Sequence, residues 1–292
     1  MRKYSAIKIA GLVLAVALIV YFVVAAAYAL GGRNELVYEK RDYATGAAGI
    51  NEIRIITRNM PVTLTAYEGS DVTIGYYTSE KDPYEVTLAN GVLTLKYKRD
   101  VLYDITSWFS GLFKTFTTST PRVDVAVPAA FAGNLQLDAS NAAVNTSGLT
   151  AAKGLRVRTS NGPVSVTGVT CDQLSAHTSN GPVTLESVIV SGAADVKSSN
   201  GPVIARQVAA RDRLRLETSN GPVLADRVAS GNIELLTSNS GISGSVAGRR
   251  ADYTISSSTS NGRNGLGDGG NGQSRLTVRT SNGNIDVQFL DE

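Results

Sequence analysis

The stretch that decides the fold is "RTSNGPVSVTGV", residues 158–169, because the chain writes it again as "HTSNGPVTLESV" at 177–188, "KSSNGPVIARQV" at 197–208 and "ETSNGPVLADRV" at 217–228. Taking the Asn of each "SN" pair as a marker gives Asn141, Asn161, Asn180, Asn200, Asn220, Asn239, Asn261 and Asn282, at intervals of 20, 19, 20, 20, 19, 22 and 21. A fixed period of this length marks a repeat architecture.

Within each period two positions are apolar in every repeat but one, where Ser257 stands. Six residues before the marker stand Leu155, Leu174, Ala194, Leu214, Ile233, Ile255 and Leu276, and four before stand Val157, Ala176, Val196, Leu216, Leu235, Ser257 and Val278. The residues that follow the second of them, such as Arg158, His177, Lys197 and Glu217, are mostly polar. Alternation of this kind is a half-buried strand. After the turn Val164, Val183, Val203, Val223, Ile242 and Ile285 open a second strand, and Val169, Val188, Val208, Val228 and Val246 close the unit.

One unit cannot fold alone. It orders about 20 residues at ~1–2 kcal/mol of backbone entropy each, against about five aliphatic side chains returning ~1.5–3 kcal/mol apiece. Stacking at the ~4.8 Å strand spacing adds ladder hydrogen bonds and sets each Val or Leu on its counterpart. The prediction is an all-β chain, a single β-solenoid of about 20-residue coils. A leucine-rich array fits less well, because the returns "TAAKG", "TCDQ" and "AARDR" are too short for a helix.

The corner chemistry agrees. Asn tolerates turns, Gly supplies positive φ, and Pro is confined to a corner or a first strand position. The eight marker Asn side chains are expected to form an amide ladder along the axis, with Thr159, Thr178, Ser198, Thr218, Thr237, Thr259 and Thr280 beside it.

Residues 9–30 carry no charge over 22 positions; as a helix they would span roughly 33 Å, enough for a ~30 Å hydrocarbon core. With Arg2, Lys3 and Lys8 before the run and Glu35 and Glu39 after it, the N-terminus is expected to be cytoplasmic and the rest extracytoplasmic. "AYA" at 27–29 has the form of a signal-peptidase site, but the apolar run exceeds the ~7–15 residues of a cleaved signal, which favours a retained anchor. The expected organisation is a cytoplasmic stub and transmembrane signal anchor at 1–31, a linker at 32–48, irregular N-terminal β coils at 49–120 and regular repeats at 121–292. The expected localisation is single-pass in the cell membrane.

Without its three N-terminal basic residues the chain has 25 Lys and Arg against 25 Asp and Glu. That balance offers no general attraction for nucleic acid. The single cysteine, Cys171, excludes an intramolecular disulfide and reads as a small apolar residue; His177, the one histidine, reads as an outward surface residue. No metal cluster, cofactor motif or nucleophile with its base is present, so no cofactor is expected. The outward acids Asp195, Glu217, Asp226 and Glu234 lie in different columns on this reading, interleaved with Arg206, Arg215 and Arg227, and are expected to form surface ion pairs rather than the paired carboxylates of a glycosidase.

Two segments break the repeat. "RNMPVTLTAYEG" at 58–69 and "ANGVLTLKYK" at 89–98 imitate the turn-then-strand pattern and read as degenerate early coils. The segment 101–121 holds Trp108, Phe109, Phe113 and Phe116, either a plug for the N-terminal end of the solenoid or a membrane or partner contact. At 260–274, "SNGRNGLGDGGNGQS" reads as a flexible loop; one imperfect glycine-aspartate copy with a single Asp does not make a calcium site.

The serial TSNG turns, the "NGVLTLKYK" strand and the "VDVAVPAAF" entry at 123–131 together resemble the putative-adhesin domain family of unknown function, found in bacterial membrane and envelope proteins. The resemblance runs from about residue 50 to the C-terminus. It implies an envelope-associated β-solenoid, sometimes linked to envelope stress, with no catalytic or ligand residues to carry over. The favoured expectation is a non-catalytic binding or structural module facing a cell-wall polymer or an envelope protein. The alternatives are a self-assembling scaffold and a polysaccharide-active enzyme.

Overall fold

The computed structural model describes residues 38–79, 82–98 and 121–291. The apolar segment 9–30 and the aromatic residues Trp108, Phe109, Phe113 and Phe116 lie outside the described residues. Among the described residues no helix is long and apolar enough to cross a membrane.

The strands run in chain order as β1 (Glu39–Gly46), β2 (Glu52–Ile56), β3 (Val62–Tyr67), β4 (Asp71–Thr78), β5 (Tyr84–Ala89), β6 (Val92–Tyr97), β7 (Val123–Pro128), β8 (Asn134–Asp138), β9 (Val144–Ser147), β10 (Ala152–Arg158) and β11 (Val164–Thr167). They continue as β12 (Thr170–Thr178), β13 (Val183–Val190), β14 (Ala193–Ser198), β15 (Val203–Ala210), β16 (Arg213–Glu217), β17 (Val223–Ser230), β18 (Asn232–Leu236), β19 (Ile242–Val246), β20 (Tyr253–Ser258), β21 (Ser274–Arg279) and β22 (Ile285–Phe289).

Two parallel ladders are built from alternate strands. The first stacks β6, β2, β8, β10, β12, β14, β16, β18, β21 and β20. The second stacks β7, β3, β9, β11, β13, β15, β17, β19 and β22. A short third side joins them where 188–190, 208–210 and 228–230 pair in register. Each coil is therefore one rung of a solenoid, and the expected file is present: Val164, Val183, Val203 and Val223 pair one to the next at 1%, 0%, 0% and 0% exposure. Leu155, Leu174, Ala194, Leu214, Ile233 and Leu276 form the matching buried file on the first ladder.

The ends depart from simple stacking. Residues 58–69 do belong to a true rung, since β2 and β3 lie directly on β8 and β9. Within residues 89–98, β6 also stacks in parallel register on β2, but the turn that leads into it is not a solenoid corner. There Asn90 (φ 51°) and Gly91 (φ 74°) turn an antiparallel β5–β6 hairpin, because two successive positive φ values match the twist of a two-residue hairpin rather than a solenoid corner. Another antiparallel strand, β4, pairs with both β1 and β7.

At the other end the last rung is out of order. β21 and β22 lie directly on β18 and β19, and β20 is displaced to the outside of β21. The loop at 263–272, expected to be flexible, is instead a cap. Ile255 and Gly269 exchange backbone bonds of 2.7 and 3.2 Å, and Ser257 N donates to Asp268 Oδ1 at 2.6 Å. Leu266 is buried, with its carbonyl accepting from Arg250 at 3.0 Å. This closes the edge of β20 that would otherwise template further pairing.

Candidate functional site

The TSNG corner is the most regular polar feature of the molecule. Asn161 Nδ2 donates to Asn141 Oδ1 at 2.6 Å, Asn180 to Asn161 at 2.6 Å, Asn200 to Asn180 at 2.6 Å, Asn220 to Asn200 at 2.7 Å and Asn239 to Asn220 at 2.8 Å. The ladder then follows space rather than sequence, with Asn282 donating to Asn239 at 2.9 Å and Asn261 to Asn282 at 2.8 Å. Asn141 donates in turn to Asn59 at 2.8 Å, a member missed in the sequence because "RNMP" lacks the Ser and Gly of the motif. All eight marker residues thus join one exposed amide ladder.

Behind it runs a buried second ladder. Thr178 Oγ1 accepts from Gly181 N at 3.2 Å and donates to Gly162 O at 3.0 Å. Ser198 does the same with Gly201 N at 2.9 Å and Gly181 O at 2.9 Å, and Thr218 with Gly221 N at 3.2 Å and Gly201 O at 2.9 Å. Each hydroxyl closes its own turn and ties it to the preceding rung, which pairs the hydroxyl, a glycine N–H and a glycine carbonyl at every one of these corners.

The glycines are there for a reason other than the one expected. None of Gly162, Gly181, Gly201 and Gly221 has a left-handed φ. A Cβ at Gly181 would lie 2.0 Å from Gly162 O, one at Gly201 2.0 Å from Gly181 O, and one at Gly221 2.2 Å from Gly201 O. Glycine is demanded by the closeness of stacked corners.

The outward face of the first ladder carries an ion-pair network. Lys197 Nζ lies 3.0 Å from Glu217, Arg215 bonds Glu217 at 2.8 Å and Glu234 at 3.1 Å, and Arg213 bonds Glu234 at 3.0 Å. His177 Nε2 lies 3.0 Å from Asp195 Oδ2, so the histidine does face outward but is half-buried against a partner. Asp195 and Glu234 are not in separate columns: strand register places them in one file with Arg215 between them. Ion pairing itself is as expected, including Asp226 with Arg227 at 3.5 Å.

The hydrogen bond from His177 holds the Asp195 carboxyl below the usual range. Burial works to raise Glu217, but hydrogen bonds from Arg215 and Lys197 outweigh it and the carboxyl is also lowered. Neither is tuned as a general acid, which requires a raised value. Cys171 is 2% exposed, and burial, with Asp172 adding to it, pushes its thiol up to about 12; an inert packing residue results. Among the described residues no group of three or more His, Cys, Asp and Glu side chains is placed to hold a metal ion.

A stacked parallel β-solenoid with an amide-laddered corner is the class these features define. Residues 50–288 match the Toastrack DUF4097 family, and the chain belongs to it. No curated protein matches the sequence. Among solved structures, the chain is similar to a putative adhesin from Bacteroides fragilis (13% identity, TM-score 0.45, covering 87% of this chain and 97% of that one). It is also similar to a putative adhesin from Parabacteroides merdae (12% identity, TM-score 0.40, covering 89% and 98%) and to a putative cell adhesion protein from Clostridium sporogenes (7% identity, TM-score 0.25, covering 87% and 100%).

Proposed function

We propose that this chain is a non-catalytic binding module, tethered by residues 9–30 to the cell membrane and presenting its solenoid to a cell-wall polymer or an envelope protein outside it. The observation that carries the reading is the surface itself. Polar side chains recur at rung spacing along rigid files, while Asp195, Glu217 and Glu234 are each engaged by a cation or by His177 rather than left as a reactive pair. Such a surface suits an extended or repetitive partner, and these three engaged acids do not form the acid–base pair that glycoside chemistry uses. The test is capture from envelope extracts by the full chain, compared with the anchor segment alone. Recovery above the anchor control supports the reading, and recovery equal to it refutes it.

Self-assembly into filaments is disfavoured by the cap at 263–272, which occupies the β20 edge. Sedimentation of the full chain that grew with concentration would revive it.

A further inference from the structure

A second corner is less easily explained by folding. Where each rung leaves the second ladder for the third side, register aligns Gly148, Gly168, Ser187, Gln207 and Arg227 in successive rungs. All five are left-handed, with φ of 79°, 60°, 54°, 53° and 52°. That conformation is free for the glycines and costly for the other three. The rung after them is one residue shorter and hands the positive φ back to a glycine, Gly244 (φ 140°): the register shifts between Ala225 and Val228, and Ser245 Oγ both accepts from Arg227 N at 2.9 Å and donates to Asp226 at 2.9 Å.

What the three side chains return to the fold is small. Ser187 Oγ donates to Gln207 Oε1 at 3.2 Å on the exposed surface. The Arg227–Asp226 pair is 3.5 Å long, with side chains 54% and 40% exposed, a kind of contact that adds little stability. Glycine in these rungs would fold at lower cost, yet Ser, Gln and Arg stand there, and backbone strain concentrates where a side chain is needed for something other than folding. Beside them lie Arg206 on one flank and, on the other, Ile189, 56% exposed.

We propose that this corner is the contact track for an acidic polysaccharide strand lying along the solenoid axis. The proposal rests on the binding reading above and assigns it a site. An exposed corner cannot enclose a small molecule, so its ligand must be extended and repetitive, meeting groups that recur every ~4.8 Å. The Ser187 hydroxyl and Gln207 amide match sugar hydroxyls. Arg206 and Arg227 match carboxylates, which guanidinium groups bind in bidentate fashion, and Ile189 offers an apolar surface to a ring face. Asp226 is already held by Ser245 and Arg227, and Glu186 stands in register beside Arg206, so it is the acid with which the ligand's carboxylates compete for that guanidinium.

The test uses the full chain with polygalacturonate as probe and dextran as the neutral control. The triple variant Ser187→Gly, Gln207→Gly, Arg227→Gly is expected to unfold at a higher temperature than the natural chain and to bind polygalacturonate at least about tenfold more weakly, the loss of one charge-assisted bond. Arg206→Ala, which leaves the corner backbone alone, is expected to weaken binding without raising the unfolding temperature. Natural-chain binding should decline with salt. A lower unfolding temperature in the triple variant, unchanged binding in it, or natural-chain binding to polygalacturonate no better than to dextran would each overturn the proposal. Capture from envelope extracts that persists undiminished in the triple variant would refute this site while leaving the binding reading intact.

Discussion

Gly201→Ala tests the stack most directly. Gly201 has no left-handed φ, so alanine can adopt its backbone, and any damage comes from the new methyl group alone. That Cβ would lie 2.0 Å from Gly181 O, 2.4 Å from Gly181 C and 2.8 Å from Pro182 N, where ordinary contact begins at 3.4 Å. The corner must open by more than an ångström. Opening breaks the 2.9 Å bond from Ser198 Oγ to Gly181 O and stretches the 2.6 Å bond from Asn200 to Asn180. Overpacking costs about 1–3 kcal/mol and two weakened hydrogen bonds about 0.5–1.5 kcal/mol each, for a total of about 2–6 kcal/mol. Equilibrium urea unfolding of the full chain, followed by circular dichroism, measures it as a lowered midpoint. Gly46→Ala is the control, since its Cβ would meet nothing within 4 Å, and it should leave the stability unchanged or raise it by up to ~1 kcal/mol, with the midpoint following. Gly201→Asn separates the two accounts of the corner: a left-handed site would tolerate Asn, whereas close approach makes Asn at least as damaging as Ala. A Gly201→Ala midpoint matching the control, or a Gly201→Asn midpoint restored to the natural value, would refute the reasoning.

The amide ladder should fail in a pH-dependent way. Asn200→Asp sets two acceptors against each other at Asn180 while keeping the bond from Asn220, so about 1–3 kcal/mol should be lost at neutral pH and partly regained when acid protonates the new carboxyl, as read by thermal midpoints at both pH values. Asp195, whose folded carboxyl is lowered by His177, contributes stability that is full above the unfolded value near ~4 and lost as pH falls through the folded one. The natural chain should therefore lose its advantage over His177→Leu in that acid window, and a constant difference across it would contradict the pairing. Cys171, buried and with its thiol pushed up to about 12, should resist a thiol reagent in the folded chain and react fully in denaturant; equal rates in both states would place it at the surface.

The inward files were legible because they depend on composition at fixed intervals: Val164 to Val223 and Leu155 to Leu276 needed only a period and an alternation. The corner glycines were legible as glycines but not in their cause. A residue that must turn and a residue that must lie close to its neighbour look alike until the next rung is in place. The left-handed corner at Ser187, Gln207 and Arg227 was hidden because none of the three is a residue that favours a left-handed φ. Its one sequence signal was Gly148 and Gly168 at the aligned positions. The Asn90–Gly91 hairpin did have its signal, an Asn-Gly pair between two alternating runs. It was overridden by likeness to the repeat.

The misplaced last rung has a physical cause that counting periods cannot reach. The coil beginning at β20 has one good strand, but the segment after it, 263–273, is glycine-rich and extends the second ladder by only a single parallel bridge, Asn264 to Ile285. Stacked in sequence order, this half-rung would leave Ile242 and Val246 of β19 without a partner strand. The final coil is complete, with Ile285, Val287 and Phe289 available to continue the second ladder. A complete rung therefore lies on a complete rung, and the half-rung goes to the end, where its glycine-rich loop folds over the exposed edge and Leu266 seals the core. The Asn ladder records the exchange, passing from Asn239 to Asn282 before Asn261. Spacing told which residues could stack, and the pairing capacity of each coil decided the order in which they do.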